Sequence, residues 1–187
     1  AKFDSSGSRI WGTYFGGIYT EDITSCTVDN QNNLYIAGLA GSPNAIATSG
    51  AHQVTYGGSA SDGFLAKFDS SGTQLWGTYL GGYGNDEVND LALGNDNAIY
   101  IAGETMSDSN IASVGAHQTS YVSGSPSGPD GFLAKFDSSG ARQWSTYYGG
   151  SAWDEAWGCF TDGTGAVYIT GNTSSSSNIA TAGSHDQ

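Results

Sequence analysis

The chain has 187 residues, enough to bury a sizeable core, and carries 18 Asp and Glu against five Lys and Arg for a formal net charge of −13. Such an acidic chain repels nucleic acid and anionic membrane surfaces and favours divalent cations or basic partners. Aromatic residues make up 12% of it and apolar runs recur regularly, which excludes a disordered chain; no run is long and apolar enough to insert in a membrane.

The N-terminus, Ala1-Lys2-Phe3-Asp4, has neither an initiator Met nor the plan of a signal peptide and reads as a cut into a longer or processed chain. The first element is the turn Phe3-Asp4-Ser5-Ser6-Gly7, followed by Trp11 and the pair Gly16-Gly17. The turn recurs as Phe68-Asp69-Ser70-Ser71-Gly72 and as Phe136-Asp137-Ser138-Ser139-Gly140. Trp76 and Trp144, Gly81-Gly82 and Gly149-Gly150 follow at matching distances, and Tyr35, Tyr100 and Tyr168 each lie in a strand-like run. Nearly three copies of one unit of about 65 residues are therefore present.

The middle copy predicts four strands. Glu87–Leu93 leads through Gly94-Asn95-Asp96-Asn97 into Ala98–Gly103. A long loop from about Met106 to Asp130 precedes Gly131–Phe136, and Asp137-Ser138-Ser139-Gly140 joins that strand to Gln143–Tyr148. Asp and Ser open such turns and Gly accepts positive φ; no helical period is visible. Four antiparallel strands repeated at this period describe an all-β β-propeller blade. The units fall at 1–17 (the last two strands of a blade), 18–82 and 83–150 (complete blades) and 151–187 (the first two strands of another). That makes about three blade-equivalents, expected to be a segment of a longer array or to pair with half-blades of neighbouring copies.

The stretches Gly63–Gly82, Ile99–Thr105 and Asn110–Gln118 resemble the SBBP repeat family, β-propeller repeats of secreted and cell-surface bacterial proteins, in the form found in Bacteroidetes. The resemblance spans essentially the whole chain. It implies a propeller fold and an extracellular or cell-surface location, but no defined reaction.

Each Gly-Gly pair precedes two acidic residues: Glu21-Asp22, Asp86-Glu87 and Asp154-Glu155. In a propeller these six would ring one mouth of the central channel, where calcium or a cationic ligand would find oxygen donors. Alternatively each caps local N–H groups or is solvated, and no Asp-x-Asp-x-Asp-Gly loop is present. Trp153 and Trp157 flank the last pair and would either stack on a sugar or partner protein or pack between blades. Trp11, Trp76 and Trp144, with Asp4, Asp69 and Asp137, read as structural repeat positions, the Trp packing between neighbouring sheets. His52, His117 and His185 are repeat-equivalent, hence on different blades, each expected to make a local loop hydrogen bond rather than to share a metal. Cys26 and Cys159 share a position occupied by Leu91 and read as small buried hydrophobes too far apart for a disulfide.

No catalytic residue stands out. The expected function is an extracellular structural or adhesion repeat assembling into fibres or a surface layer, with other copies or flanking repeats as partners and no cofactor beyond calcium at the acidic rim. A carbohydrate- or protein-binding module using the loop face is the alternative, and a glycoside-acting enzyme the third reading, set back because paired carboxylates recur in every unit as scaffolding residues do.

Overall fold

A computed structural model describes residues 1–122 and 128–185. Positions 123–127 of the expected long loop and the last two residues of the 151–187 unit lie outside the described residues. The described chain forms strands β1 (Lys2–Phe3), β2 (Arg9–Trp11), β3 (Glu21–Val28), β4 (Leu34–Ala40), β5 (Asp62–Phe68) and β6 (Gln74–Leu80). These are followed by β7 (Asp86–Leu93), β8 (Ile99–Thr105), β9 (Asp130–Phe136), β10 (Arg142–Tyr148), β11 (Asp154–Thr161) and β12 (Val167–Thr173). All pair antiparallel with their sequence neighbours, giving a pair β1–β2, a four-stranded sheet β3–β6, a second β7–β10, and a pair β11–β12. The molecule is therefore all-β, and among its described residues no helix is long and apolar enough to cross a membrane.

Alternating side chains fill both faces of each four-stranded sheet. Phe64, Ala66 and Phe68 of β5 pack with Ile36, Ala40 and Ile46 on one face, against Phe15 of the preceding unit. On the other face, Leu65 joins Tyr35 and Ala37 in a core shared with Ile99, Ile101, Phe132 and Phe136 of the next sheet. That sheet repeats the plan: Tyr100, Ala102 and Leu133 meet Ala156, with Val167 and Ile169 at the margin. Two-faced burial makes β5 buried at every position, as sheets packed in series require. Each large apolar side chain so buried contributes about 1.5–3 kcal/mol.

The first strands of successive units lie side by side, β3 against β7 and β7 against β11. Each carries a bulge at one repeat position, at Ile23/Ser25, Val88/Asp90 and Ala156/Gly158. A bulge re-aims side chains, and here they tie neighbouring first strands together. Thr24 donates to the Val88 carbonyl at 2.6 Å, Asn89 to the Ala156 carbonyl at 3.0 Å, and Asp90 accepts from Ser25 at 2.8 Å and the Cys159 N–H at 2.9 Å.

Cys26 departs from the expectation of a buried thiol: it is exposed, whereas Cys159 is half-buried. The reason is position. Cys159 lies against the Tyr100 carbonyl, 3.7 Å away, on the second strand of the preceding sheet; before Cys26 the described chain holds only β1 and β2, the outer pair of a unit, and so no such strand.

Candidate functional site

The repeat positions meet at the joints between sheets. In the turn after β5, Asp69 Oδ1 accepts from the N–H groups of Ser71 (2.8 Å) and Thr73 (3.0 Å) and from the Ser71 hydroxyl (2.6 Å). Those bonds, the Ser71 hydroxyl foremost, hold the carboxyl below its usual range. Asp4 and Asp137 make the same turn with Ser6 and Ser139. Gly140 at φ +86° closes the third copy, and an added Cβ there would lie 2.9 Å from the Trp76 ring. Trp76 thus reaches from one sheet onto the turn of the next and donates its indole N–H to the Ser138 carbonyl at 3.2 Å. Trp11 does the same one unit earlier, against Gly72 and the Ser70 carbonyl at 3.0 Å. The expected inter-sheet packing is seen for both; Trp144 meets Tyr100 within its own sheet, at 6.1 Å between ring centroids.

Within each unit Lys67 sits over the Tyr35 ring, 4.9 Å from its centroid and 3.7 Å from Asp29, and Lys135 sits over Tyr100 at 5.2 Å and 3.2 Å from Asp96. Such cation–π and ionic contacts fix the third strand on the second.

The six carboxylates do not form one rim. Asp86 is 1% exposed and Asp154 2%. Asp86 accepts from Gly82 N–H (3.0 Å), the Ser107 hydroxyl (2.7 Å) and the Thr105 hydroxyl, and Asp154 from Gly150 N–H, Ser175 and Thr173 at 2.7, 2.7 and 2.5 Å. Glu21 likewise accepts from Gly17 and Ser42 N–H groups at 3.0 and 3.1 Å. The first acid of each pair therefore fastens the chain where it enters a first strand, as the capping alternative has it. The second acids face one another across the first strands: burial raises the pKa of Glu87, with Asp22 and Glu155 adding to the rise, and burial raises that of Glu104, with Glu155 and Glu87 adding. Among the described residues no group of three or more Asp, Glu, His or Cys is arranged to hold a metal ion.

Asp62 and Asp130 escaped the sequence reading. Both are fully buried. Asp62 Oδ2 accepts from Gly57 N–H (2.6 Å) and Gln53 (3.2 Å), Asp130 Oδ2 from Val122 N–H (3.0 Å) and Gln118 (3.2 Å), and among the described residues Oδ1 of each has no hydrogen-bond partner. Burial pushes Asp62 up to about 7 and Asp130 to about 6, with the neighbouring Asp86 and Asp154 adding to the rise. Asp86 itself rises to about 6 through burial, opposed by its hydrogen bonds. A Cβ on Gly81 would lie 2.6 Å from Asp86 Oδ2 and 3.0 Å from Asp62 Oδ1, so the two carboxylates flank that glycine and no larger residue fits between. The stretch Asp62–Phe68 is repeated letter for letter at Asp130–Phe136, a signal that the acids matter equally in both units.

His52 and His117 each lie against an aromatic ring. His52 meets Phe136 of the next sheet edge-on at 5.8 Å, and burial, helped by Arg142, lowers its pKa to about 4; His117 lies against Tyr148 at 6.2 Å. Trp153 is 48% exposed with one side against Gly128, and Trp157 is 54% exposed with its N–H on Glu155 at 3.2 Å.

No family model matches the chain. Over 115 residues it is 30% identical to the regulatory protein FlaEY of Caulobacter vibrioides, a stretch covering 62% of this chain and 12% of that protein's length.

Proposed function

We propose that the chain is a segment of a β-propeller whose sheets are blades, working outside a bacterial cell as a structural or adhesive repeat that assembles rather than catalyses. The observation that carries this is the reuse of one set of contacts at each joint. Trp on glycine turn, Lys on Tyr, and a buried Asp beside a Gly-Gly pair recur unit by unit, so the polar groups are scaffold and none forms a unique constellation. First strands lying side by side (β3, β7, β11) suit blades arranged around an axis. SBBP-like repeats agree with a surface or secreted location. Light scattering of native material tests the proposal. A ring or polymer far heavier than 19.3 kDa, unchanged by a calcium chelator, is expected; hydrolase activity abolished by Asp62→Asn alone would overturn it. A second reading, a carbohydrate- or protein-binding loop face, is favoured by the half-exposed indoles of Trp153 and Trp157; glycan-array binding lost in Trp153→Ala would establish it.

A further inference from the structure

One cleft lies between the two four-stranded sheets, each of them complete. It has a volume of about 370 Å³, and its lining includes His52, Thr55 and Tyr56 from the loop before β5 and Asn110 and Arg142 from the next unit. The chain has five Lys and Arg. Lys67 and Lys135 face Asp29 and Asp96, whereas among the described residues no carboxylate lies within ion-pair distance of Arg142.

The backbone contacts of Arg142 do not need an arginine. Its Nη1 donates to the Asn110 and Ile111 carbonyls, both at 2.9 Å. Gln74, at the same position one unit earlier, serves the corresponding Ile46 carbonyl at 3.0 Å with a neutral amide. The positive charge and the two other nitrogens of the planar fork are therefore surplus to that task, and among the described residues no hydrogen bond uses them. Burial lowers the pKa of the guanidinium, and a partly buried charge without a counter-charge favours a bound anion. His52, its pKa lowered to about 4 by burial and by Arg142, is neutral at neutral pH; it adds a ring N–H donor but no second charge. In a chain of net charge −13 a general attraction for anions is excluded, so an anion that binds is seated by local groups.

We propose that this cleft binds one uronic acid unit of an acidic glycan, its carboxylate on the Arg142 guanidinium and its hydroxyls on Asn110 and Thr55, beside the Tyr56 ring. A planar carboxylate matches the arginine fork and accepts from two of its N–H groups at once. The cleft is at the small end of the range for ligand sites, which suits a single sugar ring. Asn110 and Thr55 supply the donors and acceptors that hydroxyls need. Tyr56 is fixed edge-on against Tyr79 at 5.8 Å, with its hydroxyl on the Ser59 carbonyl at 3.3 Å, and so offers a rigid amphipathic ring to the sugar. The cleft belongs to a single chain and is distinct from the Trp153 and Trp157 face, so its ligand does not depend on whether copies assemble.

The test is a titration of the purified 187-residue chain followed by amide NMR, with galacturonate as the probe and galactose, acetate and triglycine beside it. Galacturonate is expected to bind saturably and to shift the amides of His52, Thr55, Tyr56, Asn110 and Arg142. Galactose, which lacks the carboxylate, and acetate and triglycine, which lack the sugar ring, should each bind at least about ten-fold more weakly. Arg142→Gln keeps the bond that Gln74 makes and should lower the affinity for galacturonate at least about ten-fold with the melting temperature held. Asn110→Gly, at a backbone φ of +65° that glycine adopts readily, should lower it about five-fold and decides the matter if Arg142→Gln fails to fold. No saturable shift with galacturonate overturns the proposal, as does full binding by a folded Arg142→Gln chain. Galactose binding as tightly as galacturonate overturns the carboxylate seat. Acetate or triglycine binding as tightly overturns the sugar assignment, the first in favour of any small carboxylate and the second in favour of a peptide terminus.

Discussion

Gly140→Ala probes the joint between the two four-stranded sheets at one atom. The turn holds Gly140 at φ +86°, so any L side chain there costs about 1–2 kcal/mol in backbone strain. The new Cβ would also sit 2.9–3.2 Å from three atoms of the Trp76 indole. The indole is held by Tyr35 at 6.1 Å between centroids and by its bond to the Ser138 carbonyl, so it cannot move aside freely. Overpacking of this kind costs about 1–3 kcal/mol more. Trp76→Ala alone removes a partly exposed indole and should cost about 3 kcal/mol, the low end for such truncations. In that background Gly140→Ala meets no ring and should cost only the strain. Urea denaturation followed by far-ultraviolet circular dichroism, on both single variants and the double, gives the coupling directly, expected at about 1–3 kcal/mol. Coupling below about 0.5 kcal/mol would refute the reasoning, since the indole would then not be seated on the turn.

Three further outcomes follow. Asp62, Asp86 and Asp130 have folded-state values of about 7, 6 and 6, above their ordinary 3.8; the stability their protons contribute is full below 3.8 and lost as pH rises through the folded values. Asp29 is shifted downward, its hydrogen bonds to Asn33 and Gln31 outweighing burial, and contributes stability above 3.8 that is lost in acid. The thermal midpoint should therefore peak at about pH 4–5 and fall toward pH 8, with Asp62→Asn flattening the fall; a midpoint rising from pH 5 to 8 would contradict this. In dilute solution at pH 8 an alkylating reagent should label Cys26 and spare Cys159, whose thiol burial and Asp90 push up to about 12; peptide mass spectrometry reads the ratio, and equal labelling would count against the burial of Cys159. Glu104→Gln should hold or raise the melting temperature at pH 8, because it removes a carboxylate that is partly buried and crowded by Glu155 and Glu87; a marked fall in calorimetry would contradict this.

The sequence made the all-β character legible because its signals are local. Asp-Ser-Ser-Gly turns and two-residue alternation place β7 to β10 to within about two residues at each end. What it hid depends on where a side chain points across a joint. Both acids of the Asp86-Glu87 pair look alike in sequence, yet strand alternation turns the first into its own backbone and the second toward Asp22 and Glu155. Asp62 and Asp130 begin apolar strands and read as turn residues; only packing against Gly81 and Gly149 shows them as buried acids. Glu104 carried no signal, since Leu39 and Asn172 hold its position in the other units. The Cys26 expectation failed because burial at that position belongs to the preceding sheet and not to the residue.

Electron cryomicroscopy of the assembled chain tests the central claim most directly. The account predicts four-stranded sheets set radially, with β3, β7 and β11 lining a common axis. Sheets stacked in a straight row without an axis, or first strands on the outer surface, would contradict it.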